Sequence, residues 1–239
     1  MQKELILTED GSHTLRVKEI DECYHSTHGA VQESMHIFIE SGLREYASVN
    51  GDKSEINILE IGFGTGLNAF LSLIEAERLR LKINYTALEL YPLAVDDAIR
   101  LNYPEVLCSD RGMFEKLHYT SWGVESDISS LFSLCKIETD FTGYELPGLY
   151  DVIFFDAFSP EKQPEMWLET GFGKIYKKTN AGAVMTTYCA KGAVRRAMQS
   201  AGFTTERLPG PPGKREILRG RKLIQLKIEN RKLKIENQL

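Results

Sequence analysis

Three closely spaced glycines between an apolar run and a helical pattern are the residues whose spacing most clearly indicates chemistry. Segment 57–68 reads N-I-L-E-I-G-F-G-T-G-L-N. Such a turn presents backbone N–H groups and a helix N-terminus to a ligand, and glycine is needed because a Cβ would block close approach. A dinucleotide fingerprint requires G-x-G-x-x-G, but here Leu67 takes the place of the third glycine. The candidate ligand-binding residues of this segment are Glu60, Gly62, Gly64, Gly66 and Asn68.

Acidic side chains follow three further apolar runs. Glu89 ends the second run, where one carboxylate can accept hydrogen bonds from both hydroxyls of a ribose. Asp140 and Phe141 follow the third run and can bind an adenine amino group and cover its ring. Asp156 ends the fourth run, at the edge where open α/β sheets bind ligands, whereas Asp151 begins that run and is interpreted as a surface residue. A purely structural role is the alternative for each of these residues.

The elements that position these residues follow from hydrophobic periodicity. Apolar runs predict an α/β domain with a seven-stranded, mostly parallel sheet, with strands at 58–61, 83–90, 132–138, 150–156, 183–188, 203–208 and 216–228. The last two strands, joined by the turn P-G-P-P-G, are predicted to be antiparallel. Helices are predicted over 67–76, 93–101 and 191–201, and residues 102–130 are interpreted as a helical insertion with loops.

A small N-terminal extension precedes the glycine strand. Strands 4–9 and 12–17 flank Asp10-Gly11, a hairpin dipeptide, and a helix is predicted from Ala30 with Glu33 away from its apolar face. His25 and His28 lack further ligands at metal spacing, so we interpret them as ordinary polar residues. The predicted domains are a hairpin and helix packed on the core (1–50), the main domain (51–226) and a tail containing a K-I-E-N repeat (227–239).

Composition and charge restrict the class of protein. The 239 residues are 42% hydrophobic and 26% charged, which is typical of a globular domain, and no apolar run approaches the roughly 20 residues of a membrane span. The N-terminus lacks the apolar core of a secretory signal, and the four cysteines form no C-x-x-C pair. We therefore expect a cytoplasmic protein without membrane association or metal.

The net charge of −5 is unevenly distributed. Residues 211–239 contain nine Lys and Arg and three Asp and Glu, or +6, so the remaining residues carry −11. A basic C-terminal segment on an acidic body is expected either to contact nucleic acid or to be a solvated tail.

The E-I-G-x-G-x-G turn, Glu89 and Asp156 together resemble the Rossmann-like fold of class I S-adenosylmethionine (AdoMet) methyltransferases. Three segments give a narrower resemblance: Y-H-S-T-H-G-A-V-Q-E-S-M-H-I-F-I (24–39), F-F-D-A-F-S-P-E-K-Q-P-E-M-W (154–167) and G-P-P-G-K-R-E-I-L-R-G (210–220). They resemble the methyltransferase family that completes 5-methylaminomethyl-2-thiouridine at the wobble position of tRNA. The similarity covers about residues 20 to 220.

This resemblance implies AdoMet as cofactor, tRNA as substrate, and methylation of the exocyclic amine of 5-aminomethyl-2-thiouridine. Many family members are fused to an FAD-dependent oxidase, which the 19 residues after Gly220 cannot form. We therefore expect a monofunctional enzyme without FAD, supplied with its substrate by an upstream tRNA-modifying enzyme.

The chemistry of this reaction gives individual residues expected roles. Asp156 is expected to accept an amine hydrogen and orient the nitrogen lone pair, and the glycine turn with Glu89, Asp140 and Phe141 to bind AdoMet. Phe158 and Trp167 are expected to stack on the wobble base. The side chains expected to contact tRNA include Lys162, Arg195, Lys214 and Arg215.

Three other functions remain open at this point. One is a methyltransferase acting on a small-molecule amine. A second is an NAD-dependent oxidoreductase, which is disfavoured because Leu67 takes the place of the third glycine of the dinucleotide fingerprint. The third is a non-catalytic tRNA-binding module that keeps AdoMet as a structural ligand.

Overall fold

The computed structural model describes residues 2–224, which form two sheets with helices. A small antiparallel sheet contains β1 (Lys3–Leu7), β2 (His13–Val17) and β3 (Glu22–Cys23) in that order. The strands of the main sheet are β4 (Glu55–Ile61), β5 (Lys82–Glu89), β6 (Glu125–Ser129), β7 (Phe132–Glu138), β8 (Tyr150–Phe155), β9 (Thr179–Thr187), β10 (Thr204–Pro209) and β11 (Glu216–Arg221). The helices are α1 (Ala30–Ser34), α2 (Glu45–Val49), α3 (Leu67–Leu79), α4 (Val95–Ala98), α5 (Tyr103–Val106), α6 (Arg111–Tyr119), α7 (Glu169–Lys177) and α8 (Gly192–Ser200).

The main sheet has eight strands in the order β10-β11-β9-β8-β4-β5-β7-β6. The central strands β9, β8, β4, β5 and β7 are parallel, and β10 and β11 form the expected antiparallel pair at one edge. The predicted α/β class and mostly parallel sheet are therefore confirmed. Since parallel strands carry their carboxyl ends to one edge, the residues after β4, β5 and β8 converge there.

The predicted count of seven strands is wrong by one. The additional strand β6 lies within residues 102–130 and pairs antiparallel with β7. Its sequence E-S-D-I-S contains one apolar residue, Ile128, because an edge strand need not bury both faces. The rest of that interval contains α5 and α6, so the helical part of the interpretation is confirmed.

The helical segment after the N-terminal sheet packs on one face of the main sheet. A π-helix, Met35–Arg44, lies between α1 and α2. A Cβ on Gly42 would lie 3.1 Å from Thr186 Oγ1 and 3.2 Å from the Phe154 ring, so the small residue permits this close packing. Phe154 contributes to the core on this face and Phe155 to the core on the other, as strand alternation predicts.

Asp151, at the start of β8, is not the surface residue that we expected. Its carboxylate is 1% exposed and accepts hydrogen bonds from Tyr46 Oη (2.9 Å), Lys53 Nζ (2.7 Å), Asn57 N (3.0 Å) and Asn180 Nδ2 (2.9 Å). The buried carboxylate therefore ties the N-terminal helical segment, β4 and β9 to the start of β8.

Within residues 2–224 no helix is long and apolar enough to cross a membrane. The tail at 227–239 and the end of the predicted strand 216–228 lie outside the described residues.

Candidate active site

The glycine turn contacts the end of β8 directly. Gly62 has φ +94°, and a Cβ there would lie 2.5 Å from the carbonyl oxygen of Asp156. The Asp156 N–H also donates to the Ile61 carbonyl at 2.9 Å. Glycine is therefore required at position 62 by both its conformation and the close approach of Asp156.

The Glu89 carboxylate is held against the same turn. It accepts hydrogen bonds from the backbone N–H groups of Gly64 and Tyr91, both at 2.9 Å. Gly64 has φ +50°, and Gly66, with φ +73°, caps α3. These contacts fix an acidic group at the carboxyl end of β5, beside the glycine turn.

The side chain of Asn68, on the first turn of α3, joins two carboxyl groups. Its Nδ2 donates to Glu60 Oε1 and to Asp156 Oδ2, both at 2.9 Å. Burial is the main reason that the pKa of Glu60 lies well above its usual range, and the Asp156 charge adds to it. Burial therefore favours the neutral form of Glu60, and the Asn68 amide hydrogen-bonds both carboxyl groups.

Asp156 lies in the wall of a cavity at the carboxyl edge of the sheet. Burial raises its pKa to about 7 and the Glu33 charge adds to the rise, whereas the Asn68 hydrogen bond and the Lys214 charge oppose it. A carboxyl group with a pKa near neutrality can exchange a proton at physiological pH, which suits a general base.

The same cavity brings together most residues expected from the sequence to bind a ligand. Its lining includes Gly62, Gly64, Asn68, Glu89, Asp140, Phe141, Asp156 and Phe158. Asp140 accepts hydrogen bonds from the Thr142 N–H and hydroxyl, both at 2.7 Å, and these lower its pKa. Glu60 and Gly66 lie directly behind this surface, in contact with Asn68 and His118 respectively.

Several predicted substrate-binding residues lie elsewhere. The structure does not bring Trp167 to the cavity: its side chain is 5% exposed, its indole N–H donates to the Phe158 carbonyl (2.8 Å), and its ring packs on Phe155. Lys162 and Arg215 are exposed on the surface, and Arg195 is half-buried on α8. Lys214, expected at a tRNA phosphate, instead lines the cavity.

The N-terminal extension supplies a wall that sequence reasoning missed. The Tyr24 ring packs against Phe158 (5.2 Å between centroids), and Glu22 accepts hydrogen bonds from the Ser159 N–H (3.0 Å) and hydroxyl (3.1 Å). Glu33 also lines the cavity. The signal available was the 24–39 segment of the resemblance, which contains Tyr24 and Glu33.

His25 differs from its interpretation as an ordinary polar residue. It is buried, its Nε2 lies 2.7 Å from Thr65 Oγ1 in the glycine turn, and burial lowers its pKa to about 4. The imidazole is therefore neutral at physiological pH and links the extension to the turn. Across residues 2–224, no group of three or more His, Cys, Asp and Glu side chains is arranged to hold a metal ion.

Comparisons with known proteins agree with this geometry. Residues 131–223 match the family described as S-adenosyl-L-methionine-dependent methyltransferase. The chain is 28% identical over 227 residues to the tRNA 5-methylaminomethyl-2-thiouridine biosynthesis bifunctional protein MnmC of Pseudoalteromonas translucida, covering 84% of this chain and 34% of that protein. It is 30% identical over 214 residues to the MnmC protein of Leptospira borgpetersenii, covering 84% and 32%.

The fold of the chain is also that of a solved relative. The crystal structure of MnmC2 from Aquifex aeolicus superimposes with a TM-score of 0.74 at 24% identity, covering 92% of this chain and 70% of that chain. The fold is therefore that of class I AdoMet-dependent methyltransferases. The chain is similar to the MnmC proteins, and it spans about a third of the length of these curated relatives.

The residues present fit AdoMet. A Cβ on Gly62 would lie 2.5 Å from the Asp156 carbonyl oxygen, and one on Gly64 would lie 2.9 Å from the Tyr24 ring, so glycine lets the turn pack closely against both residues of the cavity lining. A carboxylate at the end of β5 can accept hydrogen bonds from ribose hydroxyls, and an aromatic residue after β7 can cover a base, so this part of the cavity is complementary to a nucleoside.

Proposed function

We propose that this chain transfers a methyl group from AdoMet to the exocyclic amine of 5-aminomethyl-2-thiouridine at the wobble position of tRNA. The names of its curated relatives support this substrate. The observation that carries the proposal is the Asp156 carboxyl group in the cavity wall, with its pKa raised to about 7.

The chemistry requires an amine with a free lone pair. When bound, AdoMet supplies an electrophilic methyl group on its sulfonium. An alkylamine is largely protonated near neutral pH, since its pKa is about 10, and an ammonium ion cannot attack. Asp156 accepts a hydrogen from the amine and leaves the lone pair directed toward the methyl group. A base with a pKa of about 7 takes that proton more readily than an ordinary carboxylate with a pKa of 3.8.

The neighbours of Asp156 orient the amine. Because Asn68 holds Oδ2, we assign the amine to Oδ1. The Ala157 carbonyl accepts a hydrogen bond from the Tyr188 hydroxyl at 2.9 Å, and its second lone pair is available to a second amine hydrogen. Positioning by two acceptors fixes the direction of the remaining lone pair.

The remaining residues divide between cofactor and RNA. Glu89 binds the ribose hydroxyls, Asp140 and Phe141 bind the adenine, and the glycine turn approaches the amino-acid end of AdoMet. Phe158, at the mouth of the cavity, stacks on the flipped wobble base. The exposed Lys162 and Arg215, with Arg195, contact tRNA phosphates, so tRNA binding weakens steeply with salt.

The substrate must already carry an aminomethyl group. A separate tRNA-modifying activity therefore precedes this step, and the shared tRNA substrate places both in the cytoplasm.

The test is transfer of labelled methyl from AdoMet to tRNA isolated from a strain lacking this gene, followed by nucleoside mass analysis. We expect 5-methylaminomethyl-2-thiouridine in tRNA with the wild type and none with Asp156→Asn. Methylation of the free nucleoside without a requirement for tRNA would contradict the proposed substrate. Binding of AdoMet and tRNA without transfer would instead indicate a non-catalytic module.

A further inference from the structure

An ion pair lies in the lining of the cavity. Glu33 Oε1 is 3.1 Å from Lys214 Nζ, and Glu33 Oε2 accepts a hydrogen bond from the Ser26 N–H at 2.8 Å. Glu33 is 8% exposed, and its Oε1 makes no hydrogen bond of good geometry within residues 2–224. A largely buried carboxylate thus has one oxygen bonded to a backbone N–H and the other paired with the Lys214 ammonium.

The Lys214 ammonium also lies over an aromatic ring. Its Nζ is 4.9 Å from the centroid of Tyr188, whose hydroxyl hydrogen-bonds the Ala157 carbonyl next to Asp156. A carboxylate and an aromatic face are the two groups that bind alkylammonium ions best. The Lys214 ammonium therefore contacts the same kinds of group that would bind the amine of an alkylamine substrate.

The backbone of the loop that carries Lys214 is anchored independently of the Lys214 side chain. The Lys214 N–H donates to the Pro211 carbonyl at 2.9 Å. Gly213 has φ +82° and lies so close to the His28 ring that a Cβ would meet it at 2.1 Å. The anchored backbone leaves the four-carbon stem of Lys214 free to move the ammonium without moving the loop.

We propose that Glu33 is the second carboxylate of the amine site, beside Asp156. In the free protein the Lys214 ammonium occupies this position, and the aminomethyl group of the substrate displaces the Lys214 ammonium when it binds. This inference rests on the proposed function. The substrate arrives as a cation paired with Glu33, and Asp156 then takes the proton that frees the lone pair.

Charge balance explains why an internal lysine would hold this position. Glu33 and Asp156 are two carboxylates in one cavity, and leaving both uncompensated would be costly. Exchanging one ammonium for another keeps the charge constant. A neutral or anionic group at the same position of the base gains nothing by displacing Lys214, so the pair selects an amine.

Equilibrium binding of two tRNA probes tests this proposal, with S-adenosylhomocysteine in place of AdoMet to prevent turnover. One probe carries 5-aminomethyl-2-thiouridine and the other carries 2-thiouridine at the wobble position. The Kd of the 2-thiouridine probe divided by the Kd of the 5-aminomethyl-2-thiouridine probe measures how much the amine contributes to binding. We expect Glu33→Gln to reduce this ratio about tenfold, since a charged partner is lost. Lys214→Met should increase the ratio, because the competing ammonium is removed.

Lys162→Met is the matched control, since this exposed lysine is assigned to a phosphate. It should weaken both probes equally and leave the ratio unchanged. Glu33→Asp retains the charge on a shorter side chain, so it should give a ratio between those of the wild type and Glu33→Gln. This variant provides the test if the glutamine form does not fold.

Two results would overturn the inference. One is an unchanged ratio in the Glu33 variants; the other is an equal loss of affinity for both probes in Lys214→Met, as expected of a phosphate contact. Failure of the proposed function is distinguishable, because the wild type would then produce no methylated nucleoside from AdoMet and the aminomethyl probe.

Discussion

An aspartate lies at each end of strand β8, and the pKa values of the two carboxyl groups are shifted in opposite directions. At its start, burial of Asp151 would raise the pKa, but hydrogen bonds from Asn57, Lys53, Asn180 and Tyr46 lower it below the usual value. At its end, Asp156 receives one side-chain hydrogen bond from within residues 2–224, that of Asn68, and burial raises its pKa to about 7.

The difference separates a structural carboxylate from the carboxyl group to which we assign proton transfer. Asp151 is satisfied by the surrounding elements and stabilises their packing in its charged form. Asp156 lacks such compensation, so its charged form is costly and its proton affinity is high. Residue type and strand position are thus insufficient to tell the two carboxyl groups apart. The number of hydrogen-bond donors around each group determines whether its pKa is lowered or raised.

The largest effect is expected from Asp156→Asn. Loss of the proton acceptor should reduce the single-turnover rate of methyl transfer by about 10²–10⁴-fold, while calorimetry shows AdoMet binding close to that of the wild type. The raised pKa means that the stability contributed by the Asp156 carboxyl is present at acid pH and is lost as pH rises through about 7. The variant should therefore be at least as stable as the wild type above neutral pH.

Asp151→Asn should show the reverse pattern. It disturbs a buried carboxylate with four donors, so denaturant unfolding should show a loss of about 2–3 kcal/mol in the free energy of unfolding. Methyl transfer per folded molecule should stay near that of the wild type. If Asp151→Asn instead abolished the reaction in folded protein, the distinction between the two ends of β8 would be wrong.

Asn68→Ala sharpens the comparison by removing the one side-chain donor of Asp156. That hydrogen bond lowers the pKa of Asp156, so its loss should raise the pKa further and move the midpoint of the pH–rate profile upward. We expect a rate loss of about tenfold at neutral pH. Ser72→Ala, buried on the same helix, is the control and should leave the midpoint unchanged.

The smallest effect concerns the ends of the neighbouring strands. Glu89 and Glu138 occupy matching positions on β5 and β7, but only Glu89 lines the cavity. Glu89→Gln should weaken AdoMet binding about tenfold, measured by calorimetry, with little change in the maximal rate. Glu138→Gln should bind AdoMet normally, and equal effects in the two variants would contradict the assigned ribose contact.

The sequence was sufficient for the central sheet and for the cavity residues that lie at the ends of its strands. Gly62, Gly64 and Glu89 lie in or directly after apolar strands, where periodicity locates them. Strand β6 was missed because its composition is polar, and an edge strand is held by backbone pairing to β7 rather than by burial.

The substrate side depends on contacts between distant segments. Glu33 and Lys214 are separated along the chain by most of the domain, and no local pattern links them. Trp167 illustrates the converse: the sequence places it near Asp156, but packing against Phe155 holds it in the core. Side-chain direction outside regular strands is set by tertiary packing, which periodicity does not report.

The pH dependence of the single-turnover methyl-transfer rate, from about pH 5 to about pH 9, tests the role of Asp156 most directly. Because Asp156 must be ionised to accept a proton, the rate should rise with pH, with a midpoint near the raised pKa of about 7, and this midpoint should disappear in Asp156→Asn. A wild-type rate that is independent of pH across this range, or the same midpoint in the variant, would show that Asp156 is not the base.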